Sequence, residues 1–244
     1  MRRPAAALAL GLSGLTLAGA LSGCETTAEK SAKLERAAHH TRLAEKGLTI
    51  STPSREVRVL SATIVRGHEG NAAVITLQSS AAQTLRAVPI AITVKDAHGA
   101  TLFQNNTAGL EPALTSLGSL AAHGRASWID DQILASGTPA SVSATVGEAP
   151  SVSGTLPRIE VQGVHASEEG GTQGAAGTVR NASSVIQQNL VVYVLARRGG
   201  RVVAAGRAVL PEVAANASLP FQAFLQGNPS GAQLEASAPA TTFG

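Results

Sequence analysis

The chain has 244 residues, enough for one or two domains, and 44% of them are hydrophobic, but only 2% are aromatic and 14% charged. The formal charge falls from +3 to +1 once Arg2 and Arg3 are set aside, and the other charges are scattered in both signs, which excludes the basic stripe of a nucleic-acid binder. Because Cys24 is the only cysteine, an internal disulfide is also excluded, and the fold must be stabilised by packing of Val, Leu, Ile and Ala.

The first 24 residues have the layout of a secretory signal peptide. Arg2 and Arg3 form a positive start, and an uncharged stretch rich in Ala, Leu and Gly follows over residues 4–20. The next residues, Leu21-Ser22-Gly23-Cys24, closely resemble the lipobox of bacterial lipoproteins. An ordinary secreted protein with a cysteine at this point by chance is the alternative.

The lipobox resemblance implies a modification and a location. It implies that residues 1–23 are a lipoprotein signal peptide that is removed, and that the thiol of Cys24 receives a diacylglyceryl group. Two acyl chains would give stable anchoring, at about 0.8 kcal/mol for each buried CH₂. The mature chain would then be extracytoplasmic and anchored to the bacterial cell membrane, or to the outer membrane in a Gram-negative cell.

Residues 24–54 are predicted to be a tether that is partly helical. Charges of both signs occur among alanines over 25–46, and Glu29 and Lys33 form a favourable i,i+4 pair. The apolar stripe is too weak to indicate a core-facing helix. His39-His40 lies in this segment without further obvious metal ligands, so solvated histidines are favoured over a metal site.

After Pro53 the pattern indicates β-structure. Short runs of Val, Ile, Leu and Thr alternate with clusters of Gly, Asn, Pro and Ser. Candidate strands cover 55–65, 72–78 and 88–96, and the sequence AHGA then predicts a hairpin into TLFQ. In the third strand, every second residue from Val88 to Val94 is apolar, as in a strand with one buried face.

The second half of the chain repeats the first. Residues 88–103 align with 189–204 at an offset of 101, which places Ile92 opposite Tyr193. The other aligned segments are 75–81 with 178–184, allowing a shift of one to three residues, 120–128 with 213–221, which matches Trp128 to Phe221, and 140–146 with 232–238. The common order of strands and turns indicates a duplicated unit.

The repeat predicts an all-β protein with two tandem immunoglobulin-like antiparallel sandwiches. A spacing near 100 residues suits one such sandwich for each copy. We assign the first sandwich to residues 55–149 and the second to 157–244. The segment 147–158, rich in Gly, Ser and Pro, is interpreted as a linker.

The second copy also resembles a bacterial extracytoplasmic module called FxLYD. The resemblance is carried by Asn181-Ala182-Ser183, the strand 190–195, a Gly hairpin at Gly200, and Pro211-Glu212 before Phe221. The triplet that names the family is replaced here by Leu195-Ala196-Arg197. The resemblance implies an immunoglobulin-like fold and an envelope location, and it implies no reaction.

Several residues are candidate sites by their residue type. We interpret Asp130-Asp131 as a solvated edge or loop, with a calcium-type site as the alternative, because successive strand residues point to opposite faces. Trp128 and Phe221 are predicted core anchors rather than a ligand platform.

The glycine-rich stretch 170–177 is interpreted as a flexible loop, because its spacing does not match a phosphate-binding motif. The histidines outside the tether are assigned to polar turns: His68, His98, His123 and His165.

No catalytic motif was found, so the sequence predicts no enzyme, and it predicts no cofactor and no metal site. The first functional hypothesis is a scaffold or protein-interaction module of the cell envelope, whose partner is an unidentified envelope protein. The alternative is a ligand- or ion-binding lipoprotein that uses the cleft between its two modules. Its candidate contacts would be Asp96, Asp130, Asp131 and the loop histidines.

Overall fold

The computed structural model describes residues 46–154 and 156–244. The predicted signal peptide, the predicted lipid attachment at Cys24 and residues 24–45 of the predicted tether lie outside these residues. Within them, no helix is long and apolar enough to cross a membrane.

The described chain is almost entirely β-structure, as predicted. In the first half the strands are β1 (Val57–Arg66), β2 (Asn71–Ser79), β3 (Thr84–Lys95), β4 (Thr101–Gln104), β5 (Ser116–Leu120), β6 (Arg125–Ile133), β7 (Ser141–Val146) and β8 (Ser151–Val152), with one short 3-10 turn at Pro112–Leu114. In the second half they are β9 (Ile159–Glu169), β10 (Thr172–Asn181), β11 (Gln187–Arg198), β12 (Arg201–Val213), β13 (Ser218–Phe224), β14 (Gln226–Gly227) and β15 (Gln233–Ser237).

Each half forms an antiparallel β-sandwich. In the first, the sheet β1-β2-β6 faces a sheet in which β3 pairs with β4, β5, β7 and β8. In the second, β9-β10-β13 faces β14-β12-β11-β15. The fold class of two tandem immunoglobulin-like sandwiches is therefore confirmed, whereas the domain boundaries proposed from the sequence stay predictions.

The strand registers reproduce the repeat residue by residue, but at an offset of 102 through the central strand rather than the predicted 101. Val88, Ile90, Ile92 and Val94 fill the first core, and the residues that fill the second are Leu190, Val192, Val194 and Ala196. The predicted match of Ile92 to Tyr193 was therefore wrong by one residue. The difference of one residue matters because a register shift of one exchanges the two faces of a strand.

Backbone irregularities occur at equivalent points of both copies. A β-bulge follows Val94 in the first copy and Ala196 in the second. The left-handed residues Ala87 and Asn189, with φ of 47° and 49°, occupy the same position before the central strand. Such conformations are uncommon outside glycine, so their repetition supports duplication independently of side-chain pattern.

The turn before the aromatic strand is also shared. His123 and Asn216 are both left-handed, with φ of 52° and 57°. Their amides donate to the carbonyls of Ala81 and Ser183, which are themselves equivalent. The alignments of 120–128 with 213–221 and of 140–146 with 232–238 are confirmed by these bonds and by the strand pairs.

The copies differ by an insertion in the first. Strand β12 runs without a break beside β11, whereas its counterpart is split into β4 and β5 by residues 105–115. Buried Asn105 bridges the gap, because its Oδ1 accepts from Ile92 N at 2.7 Å and its Nδ2 donates to Ile90 O at 2.8 Å. Ala113 in the inserted loop accepts the indole N–H of Trp128 at 3.0 Å.

The glycine-rich stretch 170–177 is not a loop, so that interpretation was wrong. Gly170 and Gly171, with φ of 58° and 83°, make the hairpin turn, and the rest belongs to β10. Gly177 faces Phe221 in the neighbouring strand, and a Cβ there would lie 2.8 Å from the ring. The small residues in this strand therefore make room for the aromatic anchor of the second core.

We expect Gly177→Ala to destabilise the protein by about 1–3 kcal/mol, because the added methyl group would push the Phe221 ring out of place. Urea unfolding of the purified chain measures the loss. Gly70→Ala is the matched control, since its Cβ would have its closest contact at 3.4 Å. Equal stabilities of the two variants would contradict the packing described for Phe221.

Candidate functional site at the seam between the sandwiches

The seam between the two sandwiches is built on strand β11, which is buried on both faces. Leu190 to Ala196 form an unbroken run of buried residues. One face fills the second core, and Val191, Tyr193 and Leu195 on the other face pack into the core cluster of the first sandwich. An edge-to-edge arrangement of independent modules would instead leave that outer face in water.

The equivalent face of the first copy is different. Pro89, Ala91 and Thr93 occupy the positions of Val191, Tyr193 and Leu195, and they are only partly buried. The two copies have thus diverged on the face that joins them.

An ion pair crosses the centre of this seam. The carboxylate of Asp131 on β6 accepts two hydrogen bonds from Arg207 on β12, one from the backbone N–H at 3.0 Å and one from Nε at 2.9 Å. The side chain of Arg207 is only 3% exposed and that of Asp131 15%. A two-point contact of this kind fixes orientation as well as distance.

A local irregularity in β6 accompanies the contact. Ala73 pairs with Asp130 but Asn71 pairs with Ile133, so β6 has an extra residue here. Bulges change the direction of nearby side chains. Asp131 lies within this bulge, on the edge of its sheet.

Arg207 also faces a second carboxylate. Its Nη1 lies 4.0 Å from Oε2 of Glu111, which belongs to the loop inserted in the first copy. No hydrogen-bond partner of Nη1 is present among the described residues. The insertion therefore brings a negative charge to the seam, although Glu111 itself is 67% exposed.

Asp130 is buried, so its interpretation as solvated was wrong, and so was that of Asp131. Asp130 is 1% exposed, and its Oδ1 accepts from Gln132 N at 3.0 Å, while Oδ2 has no partner among the described residues. Burial raises the pKa of Asp130 to about 6, although the hydrogen bond from Gln132 and the charge of Arg207 act in the opposite direction. In the second copy its position is held by Ala223, which is apolar and buried.

Tyr193 completes the polar centre of the seam. It is 2% exposed and lies opposite Arg207 in the β11–β12 ladder. Its hydroxyl has no hydrogen-bond partner among residues 46–154 and 156–244. Burial raises the pKa of the Tyr193 hydroxyl, so it remains protonated at any physiological pH.

The other predicted site residues do not join this cluster. Asp96 lies in the β3–β4 hairpin, where its Oδ1 accepts from the backbone of His98 and Ala100. His68, His98 and His123 lie in exposed loops or turns as predicted, whereas His165 belongs to strand β9. In the described part of the chain, no group of three or more His, Cys, Asp or Glu side chains could hold a metal ion.

Trp128 and Phe221 are core anchors, as predicted. They are 0% and 4% exposed, and each lies in the hydrophobic core of its own sandwich. Neither therefore offers a platform for a ligand.

A groove of about 580 Å³ opens beside the seam. One wall comes from β2 and β6 of the first sandwich, and the other from β9, β11 and β15 of the second. Its lining is mainly small or apolar, with Arg125 and Glu235 as its charged members.

Arg207 and Tyr193 are the site residues that sequence reasoning missed. A signal for the seam was present, since a strand that is apolar on both faces is covered on both faces. Comparison with known proteins adds no assignment, because the chain matches no protein-family model and no curated protein sequence.

We expect Asp131→Asn to destabilise the chain by about 3–5 kcal/mol, because it leaves the buried guanidinium of Arg207 without its counter-charge. Glu235→Gln is the control. Its partner Arg197 lies at 3.1 Å, but the two side chains are 48% and 29% exposed, so a loss of at most about 1 kcal/mol is expected. Denaturant unfolding measures both, and equal losses would contradict the burial of the seam pair.

Asp130→Asn tests the buried carboxyl through its pH dependence. Because the folded pKa is raised from 3.8 to about 6, the carboxyl disfavours folding increasingly as pH rises between these values. Relative to wild type, the Asn variant should gain stability across this window, by about 3 kcal/mol in total, and the gain should stay constant above pH 6. Unfolding free energies at pH 4 to 8 measure this difference, and a difference that does not vary with pH would refute it.

Proposed function

We propose that the chain is an extracytoplasmic lipoprotein, anchored through a diacylglyceryl group on Cys24, whose paired sandwiches act without catalysis as a scaffold or interaction module of the bacterial cell envelope. The lipobox-like sequence at 21–24, placed after an apolar stretch, supports the anchor. The partner would be another envelope protein, recognised by the folded part of the chain.

The observation that carries the scaffold proposal is that residues which differ between the two copies hold the sandwiches together. Asp131 and Arg207, the two charged groups at the centre of the seam, are bonded to each other across it. Tyr193 and Leu195, which replace small residues of the first copy, are packed into the same seam. Divergence between the copies has thus produced a fixed mutual arrangement, as a scaffold requires.

The anchor is tested by Cys24→Ser in the producing bacterium. With a clickable palmitate analogue in the medium, we expect wild type to be labelled and to partition into detergent, and Cys24→Ser to lose both properties, because the hydroxyl does not form the thioether. Ser31→Ala, in the predicted tether, is the control and should behave as wild type. An unmodified peptide that runs through Cys24 in mass spectra of the mature wild-type protein would contradict the anchor.

The groove beside the seam favours a second candidate, a ligand-binding lipoprotein. Its volume of about 580 Å³ is within the range of small-molecule sites. A small ligand would be held by side chains of the walls and would not need the main chain of β15. This difference separates the two candidates in the experiment described below.

A further inference from the structure

We infer that the outer edge of β15, which no strand among the described residues covers, takes an extended segment of a partner protein as an added strand, with alternate side chains of that segment inserted into the groove beside the seam. The inference rests on the proposed function and gives it a site and a class of partner. Strand addition of this kind supplies affinity through main-chain hydrogen bonds and selectivity through the pockets that alternate side chains enter.

The hydrogen bond between Arg207 and Asp131 identifies which main-chain groups of β15 point outward. Because Arg207 N–H donates to Asp131, Arg207 and its ladder partner Tyr193 do not bond to each other, and Tyr193 turns its main-chain groups toward β15. Tyr193 pairs there with Ser237. Strand alternation then places the N–H and C=O of Leu234 and Ala236 on the outer edge, where none of the described residues bonds to them.

The first copy provides an internal example of an occupied edge. Its strand β7 is equivalent to β15, and there Ser54 N donates to Val146 O at 2.8 Å while Pro53 bridges to Gly147. An extended segment thus already lies along the end of this edge in one sandwich. In seven-stranded immunoglobulin domains a further strand lies beside the strand that corresponds to β7 and β15.

Two other long edges of the second sandwich, those of β9 and β12, are poor candidates. Strand β9 has a bulge near Gly163 and exposed Glu168 and Glu169, which are features that prevent pairing at an edge. The edge of β12 is bonded to Asp131 at Arg207. Strand β15 has no bulge, its exposed Glu235 is paired with Arg197, and none of the described residues bonds to the outer main-chain groups of Leu234 and Ala236.

The groove indicates what the added segment should look like. A strand beside β15 would place one row of side chains between the sandwiches and the other row over β9. The apolar and small residues that would receive these rows are Ala121, Ala126, Leu156, Ile159, Val161 and Leu195. We therefore expect an extended segment with apolar residues of modest size on both faces, and without proline at the positions that bond to β15.

The full chain, purified in detergent with its N-terminal segment intact, is the protein to test, and a phage-displayed library of random linear peptides is the probe. Enriched peptides should bind wild type and lose affinity roughly tenfold on Ala236→Pro, which removes one edge N–H. Ala144→Pro makes the same change at the equivalent position of β7 and should leave binding unchanged. Ser237→Lys, which keeps the main chain and places a charge at the groove, should also weaken binding, with Thr145→Lys as its control.

Three results would overturn the inference. They are enriched peptides that bind Ala236→Pro and Ser237→Lys as well as wild type, a library that enriches nothing, and amides of Leu234 and Ala236 that are already protected from hydrogen exchange without peptide. The third result would mean that this chain's own segment covers the edge, and the first would favour a ligand held by the groove walls. Lipid labelling at Cys24 is measured separately. If the protein is labelled but binds no peptide, this inference is wrong and the proposed function still stands.

Discussion

The arrangement of the molecule depends on the contact between Asp131 and Arg207. One carboxylate bonds to both the main chain and the side chain of the arginine, and in doing so it joins the edge of one sheet to the edge of another. Breaking the contact would leave a charge buried without compensation, which costs far more than an exposed ion pair contributes. The sandwiches are therefore held in one orientation by chemistry that a flexible linker could not supply.

Duplication explains why this contact could arise. Both copies share strand registers, bulges and left-handed turns. Several differences lie at the seam, where Tyr193 and Leu195 stand in place of small residues and where Asp131 corresponds to the exposed Phe224. The insertion at 105–115 belongs to the same set, since it supports Trp128 through Ala113 and brings Glu111 toward Arg207.

Most of the fold could be predicted from the sequence because its signals are local. Alternating apolar residues from Val88 to Val94 and the glycine turns at Gly99 and Gly200 fix strands and hairpins without knowledge of distant contacts. The register of β11 could not be obtained this way, since a strand that is apolar on both faces gives no sign of which face is inside. The interpretation of 170–177 as a loop was wrong for the opposite reason. Glycine and alanine show almost no hydrophobic pattern even where they are buried.

The ion pair of the seam had no local signature, although the two apolar faces of β11 did. Asp131 and Arg207 are separated by 76 residues in the chain, and each looks like an ordinary surface charge in its own strand. The extra residue of β6 between Asp130 and Ile133 likewise has no signal in the local sequence. Site residues of this kind become visible only when two sandwiches are packed against each other.

The central claim is that the two sandwiches move as one body. Backbone ¹⁵N relaxation by NMR measures it most directly, because each sandwich reports its own rotational diffusion. We expect the amides of both sandwiches to fit a single diffusion tensor, with the N–H vectors oriented as in the structure. Two tensors with different correlation times would show that the sandwiches tumble independently, and would contradict it.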